Sequence, residues 1–341
     1  TDPGLRAPEA PLDLSRIGAD AAKVEEMGYD GLMTEETKDD PYVIMALAAQ
    51  ATTRLKLGTA VAMAFPRSPT ITAMSAWTLQ NLSKGRFTLG LGSQVKGHIQ
   101  RRYGMTWSAP GPWMRDYVGA IRAVWNTWQT GAPLDFKSEH YTLNLMVPLF
   151  APAPIEHPDI PIHLAAVNPY MCQVAGEVAD GVRPHPVCTP KYIEEVMLPA
   201  VCKGATKAGR SLDGFAVAIK PLIATAPDAK ALEVKVRDIR ARVAFYASTP
   251  AYRACFEAHG LGDLATKLRS YSMEQRWEEM PAFISDEVLH TYATVGTYDA
   301  IADKLHARYG HLVSNAEFSI PVDSPDAQAT LGRMVKRLQG G

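Results

Sequence analysis

The sequence has no apolar run near the roughly 20 residues that a membrane-spanning helix requires. Its first residues, TDPGLRAPEAPLDL, contain no basic segment followed by an apolar one, so we predict no signal peptide. The 35 Lys and Arg residues are balanced by 36 Asp and Glu residues, without the basic excess typical of nucleic-acid-binding proteins. We therefore expect a protein that binds neither membranes nor nucleic acids.

Several catalytic and metal-binding motifs are also absent. There is no HExxH motif and no close histidine pair on one helix, which argues against a metallohydrolase, and no GxSxG motif, which argues against a serine-elbow hydrolase. The four cysteines form no CxxC pair, so we expect reduced thiols in the cytoplasm and no metal site. These cysteines are Cys172, Cys188, Cys202 and Cys255.

What the sequence does contain is a regular alternation of helical and strand patterns. Short apolar runs such as LKLGTAVAMA (55–64), IHLAA (162–166) and FAVAIKPLIATA (215–226) predict strands that are covered on both faces by helices. About eight such units predict an α/β fold, a (β/α)8 TIM barrel formed as a single domain by residues 1–341. A doubly wound open sheet is the alternative.

Two segments interrupt this alternation. Residues 132–161 carry six prolines and no helix pattern, which predicts an extended excursion with a small hairpin. Residues 247–292 are helical and have their own aromatic side chains. Because both follow strands, we expect them to be insertions that cover the C-terminal mouth, where the barrel strands end.

An acidic loop, TEETKDDP (34–41), follows one of the strands. Its clustered carboxylates are suited to binding a metal or supplying a general acid and base. In the more ordinary interpretation, Asp39 or Asp40 caps a helix whose first turn contains Pro41. Glu35 and Glu36 stand directly at the strand end, and we expect one of them to face the mouth.

A glycine-rich, basic loop, GLGSQVKG (90–97), ends another strand. Its spacing matches neither a dinucleotide-binding loop nor a Walker loop. Gly92 permits close approach of a ligand to the backbone, while Ser93 and Gln94 offer hydrogen bonds. Positive charge comes from Lys96, Arg101 and Arg102, although the two arginines also fit an outer surface where they pair with acids.

The third candidate loop is LAAVNPYM (164–171), in which Pro169 begins a helix with Asn168 as its N-cap. Two alanines let a flat ring lie close to the strand, and a helix start suits a phosphate group; ordinary core packing is the alternative. Among the histidines, His98 and His185 stand where they can face the mouth. Those expected on the surface or in the core are His140, His163, His259, His290, His306 and His311.

These segments resemble the luciferase-like monooxygenase superfamily, most closely the branch that uses the deazaflavin coenzyme F420. The resemblance rests on GYDGLMTEETKDDP, the run from LKLGTAVAMA through GRFTLGLGSQVKGHIQRRYG, IHLAAVNPYMCQVAGEVADGV and AFYASTPAYR. Together with their spacing they cover nearly the whole chain from residue 14. The first barrel strand is the weak part, because little before Leu12 resembles a strand.

The resemblance implies a flavin-like ring at the C-terminal mouth, with a non-prolyl cis peptide behind it at Ala60–Val61. The implied cofactor-binding residues are Thr37, Ala60, Val61, Met63, Gly92, Ser93, Gln94, Ala165, Ala166, Val167 and Asn168. The candidate catalytic residues are Glu36, Gln94 and His98. A small-molecule substrate and a homodimer are further expectations.

The sequence departs from the family pattern in two places, a residue pair and a single residue. Many deazaflavin-dependent relatives have an Asp-His pair where this chain has Glu36-Thr37, and a carboxylate where it has Val95. Thr37 is no general base near neutral pH, so we do not expect oxidation of a sugar phosphate by that mechanism. Either Glu36 relays protons in its place, or the substrate needs only a hydride.

The preferred cofactor is coenzyme F420, with FMN as the alternative. Luciferases place an arginine for the flavin phosphate where this chain has Ser93, and the nearby basic side chains suit the anionic tail of F420. The leading hypothesis is an F420-dependent oxidoreductase that transfers a hydride to or from a small organic substrate; the second is a two-component monooxygenase that uses reduced FMN. A non-redox enzyme that uses Glu35, Glu36 and Asp39, and a cofactor-free binding protein, are further alternatives.

Overall fold

Short parallel strands with helices between them form the body of the protein. The computed structural model describes residues 12–340. The strands are β1 (Gly31–Thr34), β2 (Lys56–Thr59), β3 (Ala62–Met63), β4 (Phe87–Gly92), β5 (Phe136–Lys137), β6 (Thr142–Leu143), β7 (Ile162–Ala166), β8 (Gly181–Pro184), β9 (Ala216–Ile219), β10 (Leu222–Ala226), β11 (Ala293–Thr297) and β12 (Asn315–Ala316).

The helices cover the sheet from outside. They are α1 (Ile17–Glu26), α2 (Pro41–Ala51), α3 (Pro69–Leu82), α4 (Lys96–Arg101), α5 (Pro110–Thr130), α6 (Pro169–Val178), α7 (Pro190–Tyr192), α8 (Leu198–Ala208), α9 (Ala229–Ala247), α10 (Arg253–Glu257), α11 (Gly262–Met273), α12 (Asp286–Tyr292), α13 (Tyr298–Tyr309) and α14 (Pro325–Leu338). Among residues 12–340, no helix is both long enough and apolar enough to cross a membrane.

The main sheet is parallel and runs in the order β1-β2-β4-β7-β8-β9-β12, with β3 paired to β4. Its central strands are buried because helices cover them; Leu89 and Leu91 of β4 are fully buried. The sheet curls into a half-barrel, which confirms the α/β fold. Closure into an eight-stranded barrel stays a prediction.

The two edges of the curled sheet are β1 and β12. In the described part of the chain, no strand lies between them. Side-chain contacts cross this gap instead. The Tyr29 hydroxyl, just before β1, donates to the Phe318 carbonyl oxygen, just after β12, at 2.9 Å. Lys220, which follows β9 next to β12, pairs with Glu35 beyond β1.

The start of α2 confirms the capping interpretation of the acidic loop. Asp40 Oδ1 accepts hydrogen bonds from the backbone N–H of Tyr42 at 2.8 Å and of Val43 at 3.4 Å, and Pro41 is the first helical residue. The other oxygen of Asp40 remains available for a side-chain partner.

Two long apolar runs that the sequence predicts as single strands are each divided. The run 55–64 breaks into β2 and β3, and the run 215–226 breaks into β9 and β10 at Lys220–Pro221. Pro221 has no backbone N–H with which to continue the ladder. Beyond it, β10 leaves the main sheet and pairs in parallel with β11.

The proline-rich segment 132–161 contains the antiparallel hairpin β5–β6. It lies along the outer helices: Trp77 of α3 donates from Nε1 to the Ala153 carbonyl at 3.4 Å, and Gln129 of α5 exchanges two hydrogen bonds with the backbone of Ile155. The segment 247–292 contains α10, α11 and α12.

Candidate active site

The centre of the candidate site is the break between β2 and β3. The Ala60–Val61 peptide bond is cis, which confirms the expectation drawn from the family resemblance. The N–H of Ala60 donates to the Thr34 carbonyl at 2.7 Å, and the Val61 carbonyl accepts from the Glu36 N–H at 3.4 Å. The break is therefore bonded to the loop that follows β1.

The glycines of β4 are required by close packing against this break. A Cβ on Gly90 would lie 1.9 Å from the Thr59 carbonyl oxygen, and one on Gly92 would lie 2.6 Å from Val61 Cγ2. Gly90 also exchanges two hydrogen bonds with Thr59 Oγ1, at 2.7 and 2.9 Å. A Cβ on Gly92 would lie 3.8 Å from that of Ala165. Val61, Gly92 and Ala165 are thus neighbours, and only Val61 carries a side chain larger than a methyl group.

Glu36 is held in an ion pair at the edge of this region. Its Oε2 accepts from the Met63 N–H and from Arg67 Nη1, both at 2.7 Å. Arg67 also reaches Asp40 Oδ2 at 3.0 Å and lies over the ring of Tyr42. Although burial opposes its charge, the Glu36 carboxylate raises the pKa of Arg67 above its ordinary value. The group joins the loop after β1 to the loop after β3.

Gln94 and His98 belong to the short α4 region beyond β4. Gln94 has a left-handed backbone, with φ of 55°, and its Oε1 accepts from the Val95 N–H at 2.8 Å. Ser93 is half-buried beside it, while His98 is exposed. Arg102, just after α4, donates to the Thr37 carbonyl at 3.1 Å, so this arginine contacts the loop after β1 in addition to carrying charge.

The end of β7 provides the remaining predicted residues. Ala166 is buried and Ala165 half-buried. The Val167 carbonyl accepts from the Tyr192 hydroxyl at 3.0 Å. Asn168 stands at the N-cap of α6, as predicted, but its side chain makes no capping hydrogen bond. Its exposed amide is therefore not committed to the helix that it precedes.

At the end of β8 lies a cluster of aromatic rings that the sequence pattern does not predict. The ring of His185 stacks on Tyr252 at 4.2 Å between centroids and meets the edge of Tyr246 at 4.8 Å. Burial lowers the pKa of His185 to about 4, so the ring is neutral near pH 7. The sequence predicts that His185 can face the mouth. The two tyrosines both lie in the segment AFYASTPAYR, which is one of the segments that carry the family resemblance.

The carboxylates at the end of β1 do not form a metal centre. Glu35 pairs with Lys220, and Glu36 pairs with Arg67. Throughout residues 12–340, no three His, Cys, Asp or Glu side chains are grouped to hold a metal ion. Glu35 and Glu36 are thus each paired with a cationic side chain, and the non-redox enzyme built on Glu35, Glu36 and Asp39 stays an alternative.

A large cavity of about 2160 Å³ is lined by residues of β1, β4, β7, β8, β9 and β12. Its lining includes Glu35, Thr37 and Lys220 just beyond strand ends, and His163 and Arg183 within β7 and β8. Of the predicted cofactor-binding residues, Thr37 alone is in that lining. The cavity is therefore distinct from the surface formed by Val61, Gly92 and Ala165.

In the outer layer of helices, a row of hydrogen-bonded polar side chains links the hairpin to α5. Ser108 Oγ lies 2.9 Å from His140 Nε2, and His140 Nδ1 lies 2.7 Å from Asp116 Oδ2. The same Asp116 oxygen accepts from the His140 N–H at 3.2 Å. Trp113 stacks between His140 and Phe65, the latter just beyond β3. These hydrogen bonds connect the hairpin to α5.

Comparison with known proteins supports the architecture. The sequence profile of luciferase-like monooxygenases matches residues 2–315. An uncharacterized protein of Mycobacterium tuberculosis is 42% identical over 298 residues, which cover 87% of this chain and 88% of the relative.

Two further proteins share most of the chain. The 5,10-methylenetetrahydromethanopterin reductase of Archaeoglobus fulgidus is 26% identical over 83% of this chain and 82% of its own. The structure of the coenzyme F420-dependent tetrahydromethanopterin reductase from Methanopyrus kandleri superposes with a TM-score of 0.75, at 21% identity and 96% coverage of both chains.

Proposed function

Since this chain belongs to the luciferase-like monooxygenase family, we propose that it is an oxidoreductase that uses coenzyme F420 to transfer a hydride to or from a small organic substrate. The observation that carries the proposal is the surface formed by Val61, Gly92 and Ala165 around the cis peptide, here called the low surface because its side chains are short. Side chains of this size leave room for a planar ring system.

The residues around this surface fit the polar parts of the cofactor. Ser93 and Gln94 offer a hydroxyl and an amide beside the low surface, and the uncommitted amide of Asn168 lies at the end of the neighbouring strand. Lys96 and Arg101 are exposed on α4, where their charges attract an anionic tail in a salt-dependent manner. When bound, the deazaflavin supplies the centre that accepts or donates the hydride.

The structural contacts refine the roles that we assign to the candidate catalytic residues. Glu36 binds both Arg67 and the Met63 N–H, so we assign it a positioning role between the two loops rather than proton transfer. Gln94 and His98 stay candidates. His185 is neutral near pH 7 and can offer or accept a hydrogen bond without bringing a charge to the substrate.

The choice of F420 over FMN rests on Ser93. A hydroxyl at this position lacks the bidentate, charged pairing that an arginine gives a flavin phosphate. The F420 dependence named for the Methanopyrus kandleri reductase agrees with this choice. A single Arg-to-Ser difference leaves reduced FMN as the second candidate cofactor, and with it a two-component monooxygenase.

Titration of the purified protein with F420 and, separately, with FMN tests the proposal. We expect saturable binding of F420 in the micromolar range and at least tenfold weaker binding of FMN. Micromolar binding of FMN without binding of F420 would replace the proposal with the monooxygenase. Loss of activity on chelation would support a metal-dependent enzyme instead. Binding of neither cofactor would favour a cofactor-free binding member of the family.

A further inference from the structure

The row of polar side chains between α5 and the hairpin has the geometry of a serine hydrolase triad. Ser108 Oγ lies 2.9 Å from His140 Nε2, and His140 Nδ1 lies 2.7 Å from Asp116 Oδ2. Because an ionised carboxylate only accepts hydrogen bonds, Nδ1 carries the ring proton, and Nε2 of the neutral ring accepts from the Ser108 hydroxyl. A triad is recognised by this order of contacts and not by sequence position.

The histidine ring is held in its orientation from two sides. His140 lies in the turn between β5 and β6, and its backbone N–H also donates to Asp116 Oδ2, at 3.2 Å. The ring of Trp113, one helical turn before Asp116 on α5, lies nearly parallel to the imidazole, with 13° between the two planes. The ring is therefore positioned before a substrate arrives, which is what a catalytic base requires.

Asp116 is free to stabilise a protonated histidine. The arginine that precedes it, Arg115, pairs with Glu177. Across residues 12–340, no lysine or arginine forms an ion pair with Asp116, whose ionic partner is His140. A carboxylate that no other cation neutralises favours the imidazolium that forms when the ring takes the serine proton.

The attachment of the hairpin does not account for Ser108. The contact between Asp116 and His140 joins the hairpin to α5 by itself, and Ser108 belongs to neither element. Serine hydroxyls near a helix start typically cap the helix, yet α5 begins without a side-chain cap, and this hydroxyl is directed to His140 instead. Ser108 is half-buried, so a substrate from solvent has access to it.

Backbone hydrogen-bond donors follow the serine directly. Pro110 and Pro112 have no N–H, so the first two donors after Ser108 are the N–H groups of Ala109 and Gly111. The first N–H groups of a helix have no partner within the helix, and they lie at its positive end. In other serine hydrolases, the N–H of the residue after the nucleophile binds the oxyanion, and Ala109 occupies that position here.

The surroundings of Ser108 favour a short acyl group. Ser108 is not in the lining of the large cavity, so that cavity does not receive the acyl chain. Apolar surface beside the start of α5 comes from Met105, which is 40% exposed, and from the ring of Tyr170, which lies against Gly111. An open site with a few apolar neighbours suits a small ester.

We propose that Ser108, His140 and Asp116 form a second active site, which hydrolyses short-chain carboxylic esters without a cofactor. Ser108 Oγ attacks the ester carbonyl carbon while its proton passes to His140 Nε2. The bond between that carbon and the alcohol oxygen then breaks, and the alcohol leaves with the proton. Water attacks the acyl-serine, and its proton passes through Nε2 to Ser108 Oγ as the carboxylic acid is released. Each ester consumes one water, and nothing is oxidised or reduced. Asp116 is a positioning residue that acts through His140.

Hydrolysis of p-nitrophenyl acetate by the full chain, with no cofactor added, tests the proposal. We expect many turnovers per chain, and Ser108→Ala should lower kcat/KM at least hundredfold because it removes the nucleophile. Thr106→Ala is the matched control, since it removes an exposed hydroxyl from the same loop, and it should keep the wild-type rate. Unchanged melting temperatures would show that both variants are folded.

Two further measurements separate catalysis from a structural role. A fluorophosphonate, which reacts covalently with activated serines, should form an adduct with the wild type that mass spectrometry locates on Ser108. Asp116→Asn should lower kcat at least hundredfold and leave KM unchanged, because an amide carries no charge to stabilise the protonated ring.

Three results would overturn the proposal. The first is a wild type that hydrolyses the ester no faster than Ser108→Ala does. The second is a fluorophosphonate adduct that is absent from Ser108, whether the reagent reacts elsewhere or not at all. The third is a folded Asp116→Asn variant with the kcat of the wild type, which would mean that the three side chains only connect the hairpin to α5.

Discussion

Replacement of Gly90 by alanine tests whether β4 really packs against the break as closely as the structure indicates. The new Cβ would lie 1.9 Å from the Thr59 carbonyl oxygen and 3.0 Å from its carbon. Because both atoms belong to the backbone of the neighbouring strand, no side-chain rotation relieves the contact. Overpacking of a core costs about 1–3 kcal/mol, and loss of the two Thr59–Gly90 hydrogen bonds adds about 1 kcal/mol each. We expect the free energy of unfolding to fall by about 3–5 kcal/mol. Urea denaturation followed by circular dichroism measures this change. Gly97→Ala on exposed α4 is the control, and it should be neutral or stabilise by up to about 1 kcal/mol, since the nearest atom, 3.3 Å away, is the end of the flexible Arg101 side chain. A loss below about 1 kcal/mol for Gly90→Ala would refute the close contact between these strands.

Three further substitutions test individual contacts. Arg67→Met should lower the free energy of unfolding by about 2–3 kcal/mol, because it leaves the half-buried Glu36 carboxylate unpaired. Arg67→Lys should keep part of this stability. If urea denaturation shows that both variants lose the same free energy of unfolding, the ion-pair argument is contradicted. Charge reversal of Arg101 and Arg102 to glutamate should weaken F420 binding more at low salt than at high salt, and a salt-independent loss would mean that these arginines are structural. Burial and the nearby Arg183 lower the pKa of His163 to about 4, below the 6.5 of an exposed histidine. As the pH decreases, the unfolded chain therefore takes up the proton before the folded one does. The free energy of unfolding should fall by about 3 kcal/mol between pH 6.5 and pH 4. His163→Phe should flatten that decrease, and an unchanged slope of stability against pH would contradict the assigned burial.

The sequence predicts the α/β fold because apolar periodicity and helix caps are local properties. Asp40 and Pro41 identify the start of α2 from adjacent residues alone. The break at Ala60–Val61 came from family resemblance, since nothing in the local apolar pattern interrupts the run 55–64. The division at Pro221 was visible in the sequence, as proline cannot continue a central ladder, but the apolar residues on both sides favoured a single strand.

The candidate site was harder to predict because its contacts join distant parts of the chain. Glu36 stands at a strand end, which makes it a candidate for catalysis. The sequence does not show that it pairs with Arg67, because that residue lies 31 positions further along the chain. The stack of His185 on Tyr252 likewise depends on how the segment 247–292 folds back onto β8. Local sequence shows which residues are polar or aromatic, whereas the distances that pair them are set by the packing of β1, β4 and β8.

The titration of F420 into wild type and Ser93→Arg is the measurement that most directly tests the central claim, that a deazaflavin binds beside Gly92 and Ser93. The account predicts one F420 bound per chain with micromolar affinity, and at least tenfold weaker binding to Ser93→Arg, because the longer side chain occupies space beside the low surface. Gly97→Ala, a few residues away on α4, should bind F420 as the wild type does. Equal F420 affinity for wild type and Ser93→Arg would contradict the location of the site, and a wild type that binds FMN but not F420 would contradict the choice of cofactor.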